Sequence, residues 1–303
     1  MLTMSKHNIF VKPGDILRGK YKVVEHIATG GMSEVYRVQE VNNSFQEWAV
    51  KISNMSSKLS RKLIDETKLL SELDHPILPR VADFFQDDNY FYLVLEYVEG
   101  VSLAEFLEDD SNELKLEDIV NIGVQLCDVL YYLHTRKPHP IIYRDLKPGN
   151  ILLKKDAQIT LIDFGISRKY QEKQMRDTVQ IGTVGFAAPE QFEKKQTDKR
   201  TDLFSLGALL YYLLSKGKYV YIAQEPIKSL DSSIPKSLEA CVNQLVELNP
   251  EDRLQDVREA KILLLKAREE WEHRKSKQYS KKNLLPYVIG SLAVVATIIL
   301  FSL

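Results

Sequence analysis

Four residues between Asp145 and Asp163 have the types and spacing to handle a phosphoryl group. The stretch Ile142–Gly165 reads I-Y-R-D-L-K-P-G-N-I-L-L-K-K-D-A-Q-I-T-L-I-D-F-G. Two short apolar runs, Ile151–Leu153 and Ile159–Ile162, predict paired strands joined by a polar turn at Lys154–Gln158. Asp145 precedes the first run and Asp163 follows the second, so a hairpin would gather Asp145, Lys147, Asn150 and Asp163 around one mouth. That set supplies a base, a cation and two oxygen ligands for Mg²⁺, which is what phosphoryl transfer needs. The bland alternative is a solvated hairpin with incidental acids.

The elements that would carry such a mouth must come from a chain of 303 residues, 44% hydrophobic, with a formal net charge of -1. That is long enough for one large domain or two small ones. The charge balance gives no reason to expect a nucleic-acid partner. Cys127 and Cys241 lie far apart in apolar, helix-periodic surroundings, outside any C-x-x-C or metal spacing, and are expected to be reduced, buried thiols. Met1–Lys20 has no continuous apolar core, so no signal peptide is expected there, only a leader into the first strand. Leu284–Leu303 carries no charge and is rich in Leu, Ile, Val and Ala. As a helix it would span about 30 Å, the thickness of a bilayer's hydrocarbon core. Arg274, Lys275, Lys277, Lys281 and Lys282 flank it, which predicts a cytoplasmic location for the rest of the chain and an attraction to anionic headgroups.

The central stretch resembles the catalytic loop and metal motif of protein kinases, H-R-D-x-x-x-x-N followed by D-F-G. Asp145 and Asn150 hold the required spacing, and Asp163-Phe164-Gly165 completes the second motif. Tyr143 stands where the family usually has His. Upstream, Tyr21–Ile27 and a second strand through Gln39 flank Ala28-Thr-Gly-Gly-Met-Ser-Glu-Val35, which resembles the Gly-rich loop over the ATP phosphates. Gly30 and Val35 fit that loop, whereas Ala28 and Ser33 replace its outer glycines. Trp48-Ala49-Val50-Lys51-Ile52 resembles the V-A-I-K strand. An edge-strand Lys facing water is the alternative. Ser60–Leu73 predicts an amphipathic helix closed by His75-Pro76, with Glu66 as the partner of Lys51 and Glu72 as the other candidate.

Val81–Gln86 and Tyr90–Tyr97 predict a hairpin across Asp87-Asp88-Asn89, running into Leu95-Glu96-Tyr97-Val98-Glu99-Gly100. That segment resembles the hinge between kinase lobes. The resemblance implies that Ile27, Ala28, Gly30, Gly31, Val35, Ala49, Lys51 and Leu95 line the nucleotide site, with backbone groups of Glu96 and Val98 on adenine. Beyond Gly100 the pattern turns helical, with Leu116, Ile119, Val120, Val124, Cys127, Leu130 and Leu133 on one face of a helix over Leu116–His134. Ile166–Phe186 predicts a long loop ending at Ala188-Pro189-Glu190, the family's A-P-E. Within it, Thr178 is the candidate autophosphorylation site, poised for Arg144, and Gly182-Thr183 resembles the Gly-Thr element of serine/threonine kinases. Asp202–Leu214 predicts a buried helix resembling D-x-W-S-x-G, with Phe204 for Trp. Arg253 resembles the residue that pairs with the A-P-E glutamate, here Glu190.

These features predict an α+β chain with a two-lobed protein kinase fold over 21–271: an antiparallel β lobe with one helix over 21–99, and a mainly helical lobe over 100–271. A basic linker over 272–283 and a transmembrane helix over 284–303 would follow. The likeness is closest to bacterial Hanks-type serine/threonine kinases. It implies Asp145 as base, Lys147 and Lys51 on phosphate charge, Glu66 in support, and Asn150 and Asp163 on Mg²⁺, with Mn²⁺ as an alternative, for transfer from ATP to proteins. A transient homodimer would serve autophosphorylation. The rival expectation is a membrane-anchored pseudokinase, motivated by Ala28, Ser33 and Tyr143.

Overall fold

The computed structural model describes residues 11–29, 33–55, 64, 67–164, 168–169, 185–193, 196–223 and 225–277. Gly30, Gly31, Glu66, Thr178, Thr183 and the apolar stretch 284–303 lie outside them. Six strands form one antiparallel sheet in the order β1-β2-β3-β4-β6-β5: β1 Ile16–Leu17, β2 Tyr21–Thr29, β3 Ser33–Glu40, β4 Asn43–Asn54, β5 Val81–Gln86 and β6 Tyr90–Glu96. The sheet begins inside the stretch expected to be a leader, because Leu17 pairs with Tyr21. Strand β4 extends well beyond Trp48–Ile52, its polar first half pairing with β3 through Gln39–Glu47.

Side-chain alternation along β4 divides the small lobe into two faces. Val50 and Ile52 join Tyr36, Val38, Tyr92 and Val94 in a self-contained core under the curled sheet. Ala49 and Lys51 point the other way, beside Val35, Leu93 and Leu95 in the register of β3 and β6. Leu93 and Phe91 belong to the large core shared with the helical lobe, as do Leu69 and Leu70 of α1 (residues 67–71). The outer glycines that Ala28 and Ser33 replace fall on paired strand residues, Ala28 opposite Val35 and Ser33 opposite Ser53. Neither has a positive φ, so neither position needs glycine's freedom.

The large lobe is built on two helices. Helix α3 (Leu116–His134) keeps its expected bounds and buries Ile119, Val120, Leu126, Cys127, Leu130 and Leu133. Helix α5 runs Lys199–Leu214 and starts a turn before Asp202, because Asp198 caps it by accepting from the Arg200 amide. A Cβ at Gly207 would lie 2.5 Å from Leu245 Cβ, so glycine lets α5 approach α8 (Lys236–Leu245) closely. The lobe also holds α2 (Leu103–Glu108), a small sheet of β7 (Val101–Ser102), β9 (Ile151–Leu153) and β10 (Ile159–Leu161), and short helices α4 (Pro189–Phe192), α6 (Val220–Ala223) and α7 (Ile227–Leu230). Within the stretch read as a loop, β11 (Arg168–Lys169) pairs with β8 (Ile141–Ile142), which corrects that reading locally.

The final helix, α9, spans residues 257–277, into the segment expected to be a basic linker. It runs antiparallel to α3, with Arg258 over the Tyr131 ring, Lys261 on Asp128, Arg268 on Asn121 and Lys275 on Glu117. Arg274 donates to the Ser233 carbonyl at 2.7 Å, so two residues of the expected juxtamembrane run are bound to the domain. Among the described residues no helix is long and apolar enough to cross a membrane.

A second junction joins the lobes besides the 97–100 connection. Ile77 accepts from the Leu161 amide at 2.8 Å, the Asp74 amide donates to the Tyr132 hydroxyl at 2.8 Å, and Arg136 donates to the Glu72 carbonyl at 3.3 Å.

Candidate active site

Strands β9 and β10 form the antiparallel hairpin expected from sequence, pairing Ile151 with Leu161 and Leu153 with Ile159. The Ile162 amide donates to the Asn150 carbonyl at 2.8 Å, which closes the mouth. Asp145 Oδ2 accepts from Lys147 Nζ and from Asn150 Nδ2, both at 2.9 Å. Asn150 Nδ2 also donates to the Asp145 carbonyl at 2.8 Å, leaving the amide oxygen Oδ1 as the ligand-type atom of that side chain. Lys51 Nζ reaches across the cleft to Asp163 Oδ1 at 3.0 Å. Lys51 sits on a strand flanked on both sides, so it is not an edge residue, and its side chain is only 14% exposed. Asp163 adopts φ +66°, a left-handed conformation that a non-glycine residue holds only where its surroundings enforce it.

Those surroundings include Tyr143. Its ring is wholly buried and edge-on to Phe164 at 5.0 Å, and its hydroxyl donates to the Ile162 carbonyl, one residue before Asp163. Burial, with Asp163 and Asp145 nearby, pushes the phenol well above its ordinary pKa, so it stays a donor. The loop that carries Asp145 hangs from Asp202, a fully buried carboxylate. Asp202 accepts from the amides of Tyr143 (2.9 Å) and Arg144 (2.7 Å) and lies 2.7 Å from His134 Nε2. Three partners satisfy a charge that would otherwise be costly to bury. Sequence reading took Asp202 only as a helix opener. The available signal was a carboxylate inside an otherwise apolar helix.

On the nucleotide side, Val35 and Leu93 flank Lys51, while Ala49 pairs with Leu95. Ala28 lies opposite Val35, and Ile27 is 43% exposed. The Glu96 amide donates to the Arg80 carbonyl at 2.9 Å, so what Glu96 can offer adenine is its carbonyl; Val98 follows in the connection. Glu72 follows the last residue of α1, exposed, and with Glu66 outside the described residues both remain candidates for supporting Lys51. Gly30, Gly31, Thr178 and Thr183 likewise have no described position.

Just past the stretch read as a long loop, Glu190 and Arg253 form a buried two-pronged pair, Nη1–Oε1 2.8 Å and Nη2–Oε2 2.9 Å. This junction of A-P-E with a distant arginine, together with the mouth around Asp145, matches the protein kinase domain pattern, and the family described by that name covers residues 21–274. The chain belongs to the protein kinase domain family. It is 29% identical to a probable serine/threonine-protein kinase of Clostridium perfringens over 81% of this chain and 38% of the relative. Serine/threonine-protein kinase PrkC of Bacillus subtilis is 27% identical over 78% of this chain and 39% of its own. A probable serine/threonine-protein kinase of Streptomyces coelicolor is 29% identical over 81% and 39%. The chain thus spans about two fifths of the length of these relatives.

The kinase domain's donor set fits a divalent cation of the Mg²⁺ type, which keeps several waters and takes one or two protein oxygens plus phosphate. Asn150 Oδ1 and the Asp163 carboxylate are such oxygens. Among the described residues no cluster of three or more His, Cys, Asp or Glu forms an all-protein metal cage.

Proposed function

We propose that this chain is a serine/threonine protein kinase, transferring the terminal phosphoryl of ATP, with Mg²⁺ or Mn²⁺, to hydroxyls of proteins. The observation that carries the reading is the convergence of Asp145, Lys147, Asn150 and Asp163 at one mouth, with Lys51 bridging from the opposite lobe. ATP brings an activated phosphoryl group, and the cation offsets its charge. Asp145, held between Lys147 and Asn150, orients the acceptor hydroxyl and takes its proton. Lys147 steadies charge on the transferred group, Lys51 grips the inner phosphates while fixing Asp163, and Asn150 and Asp163 hold the cation. Lys147 in D-L-K-P-G-N and the relatives' printed names support Ser/Thr rather than Tyr acceptors.

The finer parts of the proposal rest on sequence. Thr178 is the autophosphorylation site, Thr183 positions the base, and two copies meet transiently for the reaction. Leu284–Leu303 anchors the chain in the cell membrane, with the kinase domain on the cytoplasmic side and the remaining cations of the basic run, Lys277, Lys281 and Lys282, at the lipid surface. The test uses labelled ATP, Mg²⁺ and a generic basic protein, with Asp145→Asn and Lys51→Ala alongside. Label on Ser or Thr that both variants lose supports the reading. Transfer that survives Asp145→Asn would refute it; no transfer with Mg²⁺-ATP binding also absent would favour the pseudokinase, and binding without transfer would point to a missing activator.

A further inference from the structure

Asp145 carries its carboxylate on a backbone with two soft angles, φ and ψ, because the peptide planes on either side of a residue are rigid. Both of those planes are held by side-chain amides. The carbonyl of Arg144, in the plane before Asp145, accepts from Gln191 Nε2 at 3.0 Å. The carbonyl of Asp145 itself, in the plane after it, accepts from Asn150 Nδ2 at 2.8 Å. Arg144 stands at φ +73°, a left-handed conformation that a non-glycine residue keeps only under restraint. Its amide is bound to Asp202 at 2.7 Å, so the turn that aims the Asp145 carboxylate is anchored by Asp202 at one end and by Gln191 at the other.

Gln191 is itself firmly placed. It is 2% exposed, and its Oε1 accepts from the Ala188 amide at 3.0 Å, which fixes Nε2 as the donor to Arg144. Ala188 is the cap of α4, and Glu190, the residue before Gln191, is locked in the buried pair with Arg253. The amide thus reaches Arg144 from an element that is held on its own account. The A-P-E motif ends one residue before it.

We infer that Gln191 is a positioning residue for phosphoryl transfer: by holding the Arg144 carbonyl it sets the direction of the Asp145 carboxylate towards the acceptor hydroxyl. The inference rests on the kinase reading above. It gives Gln191 a part in the chemical step and none in nucleotide binding, which falls to Lys51 and Asp163 on other elements.

The test measures single-turnover transfer by the full chain from Mg-ATP to a generic basic protein, which reads the chemical step apart from product release. ATP affinity is measured alongside. Gln191→Met keeps the length of the side chain but strands the buried Arg144 carbonyl without its donor. Misplacing a reacting group by about 1 Å costs up to about a hundredfold, so the rate is expected to fall about tenfold or more with ATP affinity unchanged. Gln191→Glu supplies a donor only when its carboxyl is protonated, and burial raises the pKa of that carboxyl above its usual value of about 4.3. Its rate relative to the unmodified chain is therefore expected to rise as the pH falls from about 8 to about 6. Tyr221→Phe is the control for a general loosening of the same stretch, since it removes the hydroxyl that donates to the Ala187 carbonyl at 2.7 Å; it is expected to leave the rate unchanged. An unmodified rate in Gln191→Met, an equal loss in Tyr221→Phe, or a Gln191→Glu deficit that does not shrink on acidification would overturn the inference and leave the kinase reading standing. An unmodified chain that transfers nothing would sink that reading and the inference with it.

Discussion

Replacing Arg253 by Met should unfold the large lobe more readily than any exposed substitution. Every N–H of the guanidinium has a partner: Nε on the Glu247 carbonyl at 2.7 Å, Nη1 on Glu190 and the Arg200 carbonyl, Nη2 on Glu190 and the Leu248 carbonyl. The Arg253 side chain is fully buried and that of Glu190 7% exposed, and the cation lies 4.9 Å over the Phe204 ring. Glu190 has one other hydrogen-bond donor of note, the Thr201 hydroxyl at 2.8 Å. Breaking a buried pair by removing one partner costs about 3–5 kcal/mol. Against a total stability of about 5–15 kcal/mol, that is a third or more. At about 2–4 °C per kcal/mol for a domain of this size, the melting midpoint should fall by about 10 °C. Urea unfolding followed by circular dichroism measures the loss. A double-mutant cycle with Glu190→Gln isolates the pair, because Gln removes the stranded charge. The double variant should lie above the sum of the singles by about 0.5–3 kcal/mol. A loss below about 1 kcal/mol for Arg253→Met, or strict additivity, would refute the reasoning.

Two further outcomes follow from local chemistry. Tyr143→Phe keeps the ring against Phe164 but removes the donor to the Ile162 carbonyl, and should cost about 1–3 kcal/mol. Phosphoryl transfer should fall with it, since Asp163 loses a restraint, and an unchanged rate would count against that role. Asp256 is held well below the usual carboxylate range by the Arg258 guanidinium, with the Arg258 amide and Lys199 adding to it against the effect of burial. A carboxyl whose folded pKa is depressed stabilises above its unfolded value, about 3.9, and that contribution fades as pH falls towards the folded pKa. Asp256→Asn should therefore lower the melting midpoint at pH 7, and its penalty should shrink below about pH 4; a penalty independent of pH would contradict the assignment.

The parts of the fold legible in the sequence are those where apolar period and chemistry coincide. The hairpin β9–β10 was bounded by carboxylates, and α3 carried an uninterrupted apolar face whose helical period outweighed its β-branched residues. Strand β4 was read short because Asn43–Glu47 is polar, and only its pairing with β3 makes it a strand. Strand β1, two residues long, left no pattern at all. At the site, residue types and spacing were enough to gather Asp145, Lys147, Asn150 and Asp163. The supports were not legible, because Asp202 reaches Tyr143 and Arg144 across 59 and 58 residues of sequence. No local period encodes such a contact.

The junction at Ile77 and Asp74 gives the two lobes a second point of attachment besides the connection at 97–100. A body held at one point can swing in any direction; held at two, it can only turn about the line through them, as a door turns on two pins. Cleft opening is thereby reduced to nearly one degree of freedom, and the Lys51–Asp163 separation becomes its natural gauge. Loosening either pin, for instance by Tyr132→Phe, would add sideways play and spread that one separation into a distribution.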